Sequence, residues 1–195
     1  VNNDATRVEV NTISAEMAKV RDYVPPYAVM AHRGSTFWAP EETESAWRWA
    51  REMGADYLES DLQCTKDGVI LANHDDNLKR TTNIENVYSE LVPATRKAFY
   101  MRHGMSEAEV EKLVEADKAS FRPYYAMSYM YEELLALDAG SWFNETSIEQ
   151  ARESFSEQHQ YISALEDQIR YAEGKMLKRD VNGERIYTVT GTWNP

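Results

Sequence analysis

Apolar positions along the chain fall into short runs and spaced rows that predict alternating strands and helices. Val8, Val10, Ile13, Met17 and Val20, spaced through a polar stretch, predict a leading helix within residues 2–22. Pro25-Pro26 ends it, because proline cannot continue a helix and restricts the residue before it. Residues 27–31 form a compact apolar run, read as a strand buried on both faces and ended by Gly34. Pro40 with Glu41, Glu42 and Glu44 predicts a helix start, since acids in a first turn suit the helix dipole. Ala46, Trp49, Ala50 and Met53 keep the i, i+3, i+4, i+7 spacing of one buried face, and Gly54 stands where a C-cap belongs. A strand over 57–62 completes a strand–helix–strand unit. Lys66-Asp67-Gly68 predicts a turn, and 69–72 a third strand ending at His74-Asp75.

The texture changes over 84–160. Ser106 and Glu109 make a capping box ahead of a helix with Val110, Leu113 and Val114 on one face, and Tyr100, Tyr124, Tyr125, Tyr129 and Tyr131 gather around it. This segment reads as a helical insertion between barrel-type elements, dividing the chain into 1–83, 84–160 and 161–195. In the last part Ser163 and Glu166 make a second capping box, opening a helix that closes at Gly174, and Asn182-Gly183 predicts a hairpin.

Composition narrows the function. The 195 residues, 43% hydrophobic, suffice for one well-packed domain. The formal charge of −12 argues against nucleic acid as a partner, which normally meets a basic stripe, and means that an anionic substrate needs a local cation. No stretch approaches the length and apolarity of a membrane helix. The one cysteine, Cys64, excludes an intramolecular disulfide and a cysteine-based zinc site.

Three polar clusters end the three predicted strands: His32-Arg33, Glu59 with Asp61, and His74-Asp75. In a parallel barrel the carboxyl ends of the strands share the face that carries the active site. Glu59 and Asp61, two apart on a strand, point to the same side and repel unless a cation lies between them; hard oxygen ligands suit Mg²⁺ or Ca²⁺. The alternative for that pair is a solvated strand face, which the flanking Leu58 and Leu62 disfavour. His32 and His74 have the chemistry of a general acid and base, against a structural role. Arg33 offers a bidentate phosphate clamp and Lys66 a further positive charge, against plain solvation of each. Trp38, just beyond the first cluster, is placed to line a pocket mouth; the other tryptophans read as packing.

The stretch 31–83 resembles the glycerophosphodiester phosphodiesterase family. The matching residues run in order: His32-Arg33-Gly34, Pro40-Glu41-x-Thr43, Ala46, Gly54-Ala55-Asp56-Tyr57-x-Glu59-x-Asp61, Thr65-Lys66-Asp67-Gly68, His74-Asp75, Leu78 and Arg80-Thr81-Thr82. Residues 137–143 look like the segment that follows the family's insertion. The resemblance implies a TIM-type (β/α)₈ barrel of the α/β class, and hydrolysis of a small-molecule glycerophosphodiester to glycerol 3-phosphate and an alcohol with Mg²⁺ or Ca²⁺. It implies Glu59 and Asp61 as metal ligands, His32 and His74 as the acid–base pair, Arg33 as phosphate binder and Glu41 as a supporting residue; the nucleophile would be the substrate's own glycerol hydroxyl. Two departures stand out. Glu42 replaces the family's usual asparagine, adding negative charge near an anionic substrate, and no later strand before Pro195 supplies the family's further metal-binding glutamate. The chain therefore reads as the first part of a barrel. A non-catalytic binding module on the same scaffold, and a related phosphodiesterase acting on phospholipid head groups, are the competing readings. The substrate class and a chain that starts at Val1 point to a periplasmic or extracellular location; a homo-oligomer is left open.

Overall fold

The computed structural model describes residues 27–190, together with Ala15 and Lys19. The expected leading helix otherwise lies outside the described residues. The strand–helix–strand unit forms. Strand β1 (Met30–His32) pairs in parallel with β2 (Tyr57–Glu59), Met30 opposite Tyr57 and His32 opposite Glu59, and helix α1 (Glu44–Glu52) connects them. β1 is not buried on both faces: Val29 and Met30 are more than half exposed, and no described element covers that side.

Helix α1 starts later than Pro40. Thr43 is its N-cap, accepting from the Ala46 amide. The residue before it, Glu42, has φ +56°, a left-handed conformation that no helix can contain. The buried face is Ala46, Trp47 and Ala50, whereas Met53 is exposed beyond the helix end. The predicted strand 57–62 breaks at Ser60-Asp61. Its second half becomes β3 (Leu62–Cys64), which pairs antiparallel with β4 (Ile70–Ala72). The third strand is thus a hairpin partner, not a parallel barrel strand. Parallel neighbours need a crossover of a dozen or more residues, and the turn at Lys66-Asp67-Gly68 is far too short for one.

Six short or medium helices follow: α2 (Ile84–Val87), α3 (Arg96–Arg102), α4 (Glu107–Ser120), α5 (Tyr131–Leu134), α6 (Trp142–Thr146) and α7 (Ser154–Glu157). The Ser106 amide donates to Glu109 Oε2 at 2.9 Å, closing the expected box at the start of α4. The second box is shifted: α8 (Leu165–Ala172) starts after Ala164, whose amide donates to Asp167 rather than Ser163 engaging Glu166. β5 (Lys175–Arg179) and β6 (Arg185–Thr190) form the hairpin expected around Asn182-Gly183.

The largest core joins β4 to the helical region. Leu71, Leu78 and Ile84 pack with Tyr129, Leu134, Leu137 and Ile162, and an isolated bridge from Leu71 to Ala164 runs the later chain alongside β4. A second core sets Trp47 of α1 against Ala72, Tyr171 and Leu177. Both cores take in β4, Leu71 in the first and Ala72 in the second, and Leu58 of β2 packs on the second, so the loops leaving β2 and β4 share a packed base.

Gly34 shows how tight the packing is. It turns the chain at φ +88°, and a Cβ there would lie 2.7 Å from Ala46 Cβ and 2.8 Å from the Ala46 carbonyl carbon. Gly34→Ala combines a left-handed penalty with overpacking and is expected to cost about 2–4 kcal/mol. Urea denaturation checks this; an unchanged midpoint would contradict the packing described.

Candidate active site

Left-handed turns set the site. After β1 the chain turns through Arg33 (φ +58°) and Gly34, and this returns the Arg33 amide to β2, where it donates to the Glu59 carbonyl at 3.1 Å and to Glu59 Oε2 at 3.0 Å. The Arg33 side chain then reaches forward, its Nε donating to Asp61 Oδ2 at 3.1 Å and its Nη1 meeting Glu41 Oε1 at 3.4 Å. Arg33 therefore occupies one oxygen of each member of the Glu59–Asp61 pair. Ligand atoms of His32, Glu59 and Asp61 all lie within 4.8 Å of one another. Hard, ionisable oxygens with an adjacent imidazole fit a divalent cation such as Mg²⁺ or Ca²⁺.

His74 belongs to the same constellation by a chain of ion pairs. The Asn73 amide donates to the Asp61 carbonyl at 2.9 Å, placing the end of β4 beside Asp61. His74 Nδ1 meets Asp75 Oδ1 at 2.5 Å. Asp75 Oδ2 accepts from Arg80 Nε at 2.6 Å, and the other nitrogens of Arg80 clasp Glu41 at 2.6 and 3.1 Å. Glu41 in turn meets Arg33. The Arg80 hydrogen bond is the main cause holding the Asp75 carboxyl below its usual range, with His74 adding to it. An ionised Asp75 makes His74 Nδ1 the donor of that bond and Nε2 the ring's other, unprotonated nitrogen in the neutral imidazole.

Glu42 is the site's unexpected member. It is 3% exposed; its Oε1 accepts from the Asp61 amide at 2.7 Å, its own amide donates to the Arg33 carbonyl at 2.9 Å, and its Oε2 is buried without a hydrogen-bond partner. Burial pushes its carboxyl up to about 8, with the negative charges of Asp61 and Glu41 adding to the rise and the Asp61 amide and Arg33 opposing it. The folded protein thus holds the proton over a range in which the unfolded chain, near 4.5, has lost it. Glu42's contribution is fully present below about pH 4.5 and is lost as pH rises through about 8. With chelator present, Glu42→Gln is therefore expected to gain stability on the parent steadily from pH 5 to pH 8. Parallel stability curves would contradict it.

Of the residues expected at the site, the structure gathers His32, Arg33, Glu41, Glu59 and Asp61, and links His74 to them. It does not bring Lys66 there: Lys66 Nζ pairs with Asp117 Oδ1 of α4 at 2.8 Å. Trp38 stacks on Trp49, ring centroids 6.3 Å apart, with Phe37 edge-on. Sequence reasoning gave no role to Arg80 and saw only added charge in Glu42. The Arg80-Thr81-Thr82 run and the substitution at 42 were the available signals.

Residues 32–190 match the Glycerophosphoryl diester phosphodiesterase family. A glycerophosphodiester phosphodiesterase of Bacillus subtilis is 32% identical over 126 residues, covering 65% of this chain and 30% of the relative. A glycerophosphoinositol inositolphosphodiesterase of Mus musculus is 30% identical over 127 residues, covering 65% of this chain and 18% of the relative. The chain thus spans less than a third of the length of these relatives. The solved glycerophosphodiester phosphodiesterase of Agrobacterium tumefaciens aligns over 75% of this chain and 43% of its own, at 24% identity and a TM-score of 0.45.

Proposed function

This chain belongs to the glycerophosphoryl diester phosphodiesterase family, and on that premise we propose that its site hydrolyses glycerophosphodiesters to glycerol 3-phosphate and an alcohol. The observation that carries the proposal is the convergence of ligand atoms of His32, Glu59 and Asp61 within 4.8 Å of one another, with Arg33 bonded to one oxygen of each acid. Glu59 and Asp61 would hold a divalent cation, Mg²⁺ or Ca²⁺. Local charge argues the same way: among the described residues of this cluster the carboxyl groups of Glu41, Glu59, Asp61 and Asp75 outnumber the guanidinium groups of Arg33 and Arg80, so an anionic phosphodiester needs added positive charge to approach. Such a cation, when bound, supplies charge stabilisation at the phosphoryl oxygens.

The chain's own residues do the rest. Arg33, fixed by Asp61 and Glu41, orients the phosphate. One histidine takes the proton of the attacking glycerol hydroxyl as its oxygen bonds to phosphorus. The other gives a proton to the alcohol oxygen as the bond between phosphorus and that oxygen breaks. Water then opens the cyclic phosphate, leaving glycerol 3-phosphate. His74, held through Nδ1 by Asp75, presents Nε2 for this exchange. An exported location, periplasmic or extracellular, goes with this reading and rests on the substrate class. Phosphorus NMR of the products tests the chemistry: glycerol 3-phosphate with free alcohol is expected, whereas free glycerol with a phosphorylated alcohol would overturn it.

A further inference from the structure

We propose that Glu42 is a positioning residue, whose side chain fixes the Asp61 main chain so that Asp61 presents its carboxylate beside Glu59 for a divalent cation. The inference rests on the metal-site reading above. Three observations carry it. Glu42 Oε1 accepts from the Asp61 amide at 2.7 Å, at the point where the run 57–62 breaks and ladder bonding gives way to the β3–β4 hairpin. The Glu42 amide donates to the Arg33 carbonyl at 2.9 Å, so one residue ties together both members of the Arg33–Asp61 ion pair. Finally, Glu42 sits at φ +56° and is 3% exposed, with Oε2 lacking a partner. A left-handed glutamate with an orphaned buried oxygen is costly on each count, and such features persist where surrounding structure over-determines them.

The geometry explains why a side chain is needed there. Asp61 lies between β2 and β3, and among the described residues the hydrogen bond from Arg33 Nε at 3.1 Å is what orients its carboxylate. With the amide released, the Asn73 amide still holds the Asp61 carbonyl at 2.9 Å, but the Ser60–Asp61 peptide loses its Glu42 anchor and can rotate, carrying the carboxylate away from Glu59. The hydrogen bond from the amide to Glu42 removes that freedom before any cation arrives.

The experiment uses the 195-residue chain and Mn²⁺ as probe, with affinity read by electron paramagnetic resonance and Asp61 amide exchange read by NMR. Glu42→Ala is expected to weaken Mn²⁺ at least tenfold and to speed Asp61 amide exchange at least tenfold. Glu42→Gln, whose amide oxygen accepts the same bond, is expected to restore both to within about threefold of the parent, as second-layer positioning predicts. Parent affinity in Glu42→Ala, or equal losses in Glu42→Gln and Glu42→Ala, would overturn the proposal. Glu59→Ala separates the two readings. If it binds Mn²⁺ as the parent does, the metal-site reading fails, while the Asp61 exchange rate still decides whether Glu42 fixes that amide.

Discussion

Replacing His74 with alanine is expected to lower kcat/KM for a glycerophosphodiester by about 10²- to 10⁴-fold, the usual worth of a positioned general acid or base. The magnitude follows from how firmly the imidazole is held. Asp75 is kept ionised first by Arg80, so its oxygen, 2.5 Å from His74 Nδ1, accepts a proton bond from the ring. That fixes the tautomer and leaves Nε2 to act, while the side chain remains 42% exposed and open to substrate. Asp75→Asn keeps the shape but offers a donor as readily as an acceptor, so a substantial part of the same loss is expected from the wrong tautomer. Steady-state kinetics on both variants checks this. A loss under tenfold in His74→Ala would remove His74 from the reaction.

The largest expected effect on stability lies away from the site. Arg96 is 1% exposed. It donates to Glu133 Oε1 at 3.0 Å and Oε2 at 2.8 Å, to Asp117 Oδ2 at 2.6 Å and to the Ser128 carbonyl at 2.8 Å. One guanidinium thereby joins α3, α4 and α5. Burial works against ionisation of Asp117, yet Lys66, Tyr100 and Arg96 together hold its carboxyl below the usual range. Arg96→Met takes the guanidinium from buried Glu133 and leaves Asp117 with Lys66 alone as its cation among the described residues, and is expected to cost about 3–5 kcal/mol, the range for breaking one side of a buried ion pair. Replacing all three members, as Arg96→Met, Asp117→Leu and Glu133→Leu, is expected to recover much of that loss, because no fully buried charge remains and Lys66, which loses Asp117, is 30% exposed and can meet water. Denaturant titrations of the single and triple variants decide the matter; a single variant within 1 kcal/mol of the parent would contradict the network.

Much of the site could be read from the sequence because its parts are local. His32 at the end of one strand and Glu59 at the end of the next could be read from the two apolar runs, and the parallel β1–β2 pair sets them opposite each other, with Asp61 in the break just beyond. What failed was long-range. The run 69–72 looked like any buried strand, and only the shortness of the turn before it distinguishes hairpin from crossover. Lys66 sits in that turn within a family-like motif, but its direction is set by Asp117, fifty-one residues later, which no local pattern reveals. The Thr43 cap was overlooked in favour of Pro40, although threonine at an N-cap is itself a strong signal. Glu42 shows the limit most clearly. Its identity suggested repulsion of substrate, whereas its placement under the Asp61 amide makes it part of the scaffold.

The most direct test of the account is hydrolysis of a simple glycerophosphodiester by this 195-residue chain with Mg²⁺, with Ca²⁺ and with chelator, beside His32→Ala and Glu59→Ala. The account predicts turnover that needs the cation and is lost in both variants. Turnover that persists in chelator, or none at all from protein shown to be folded, would contradict it; the second outcome would leave a binding module on the same scaffold as the reading that stands.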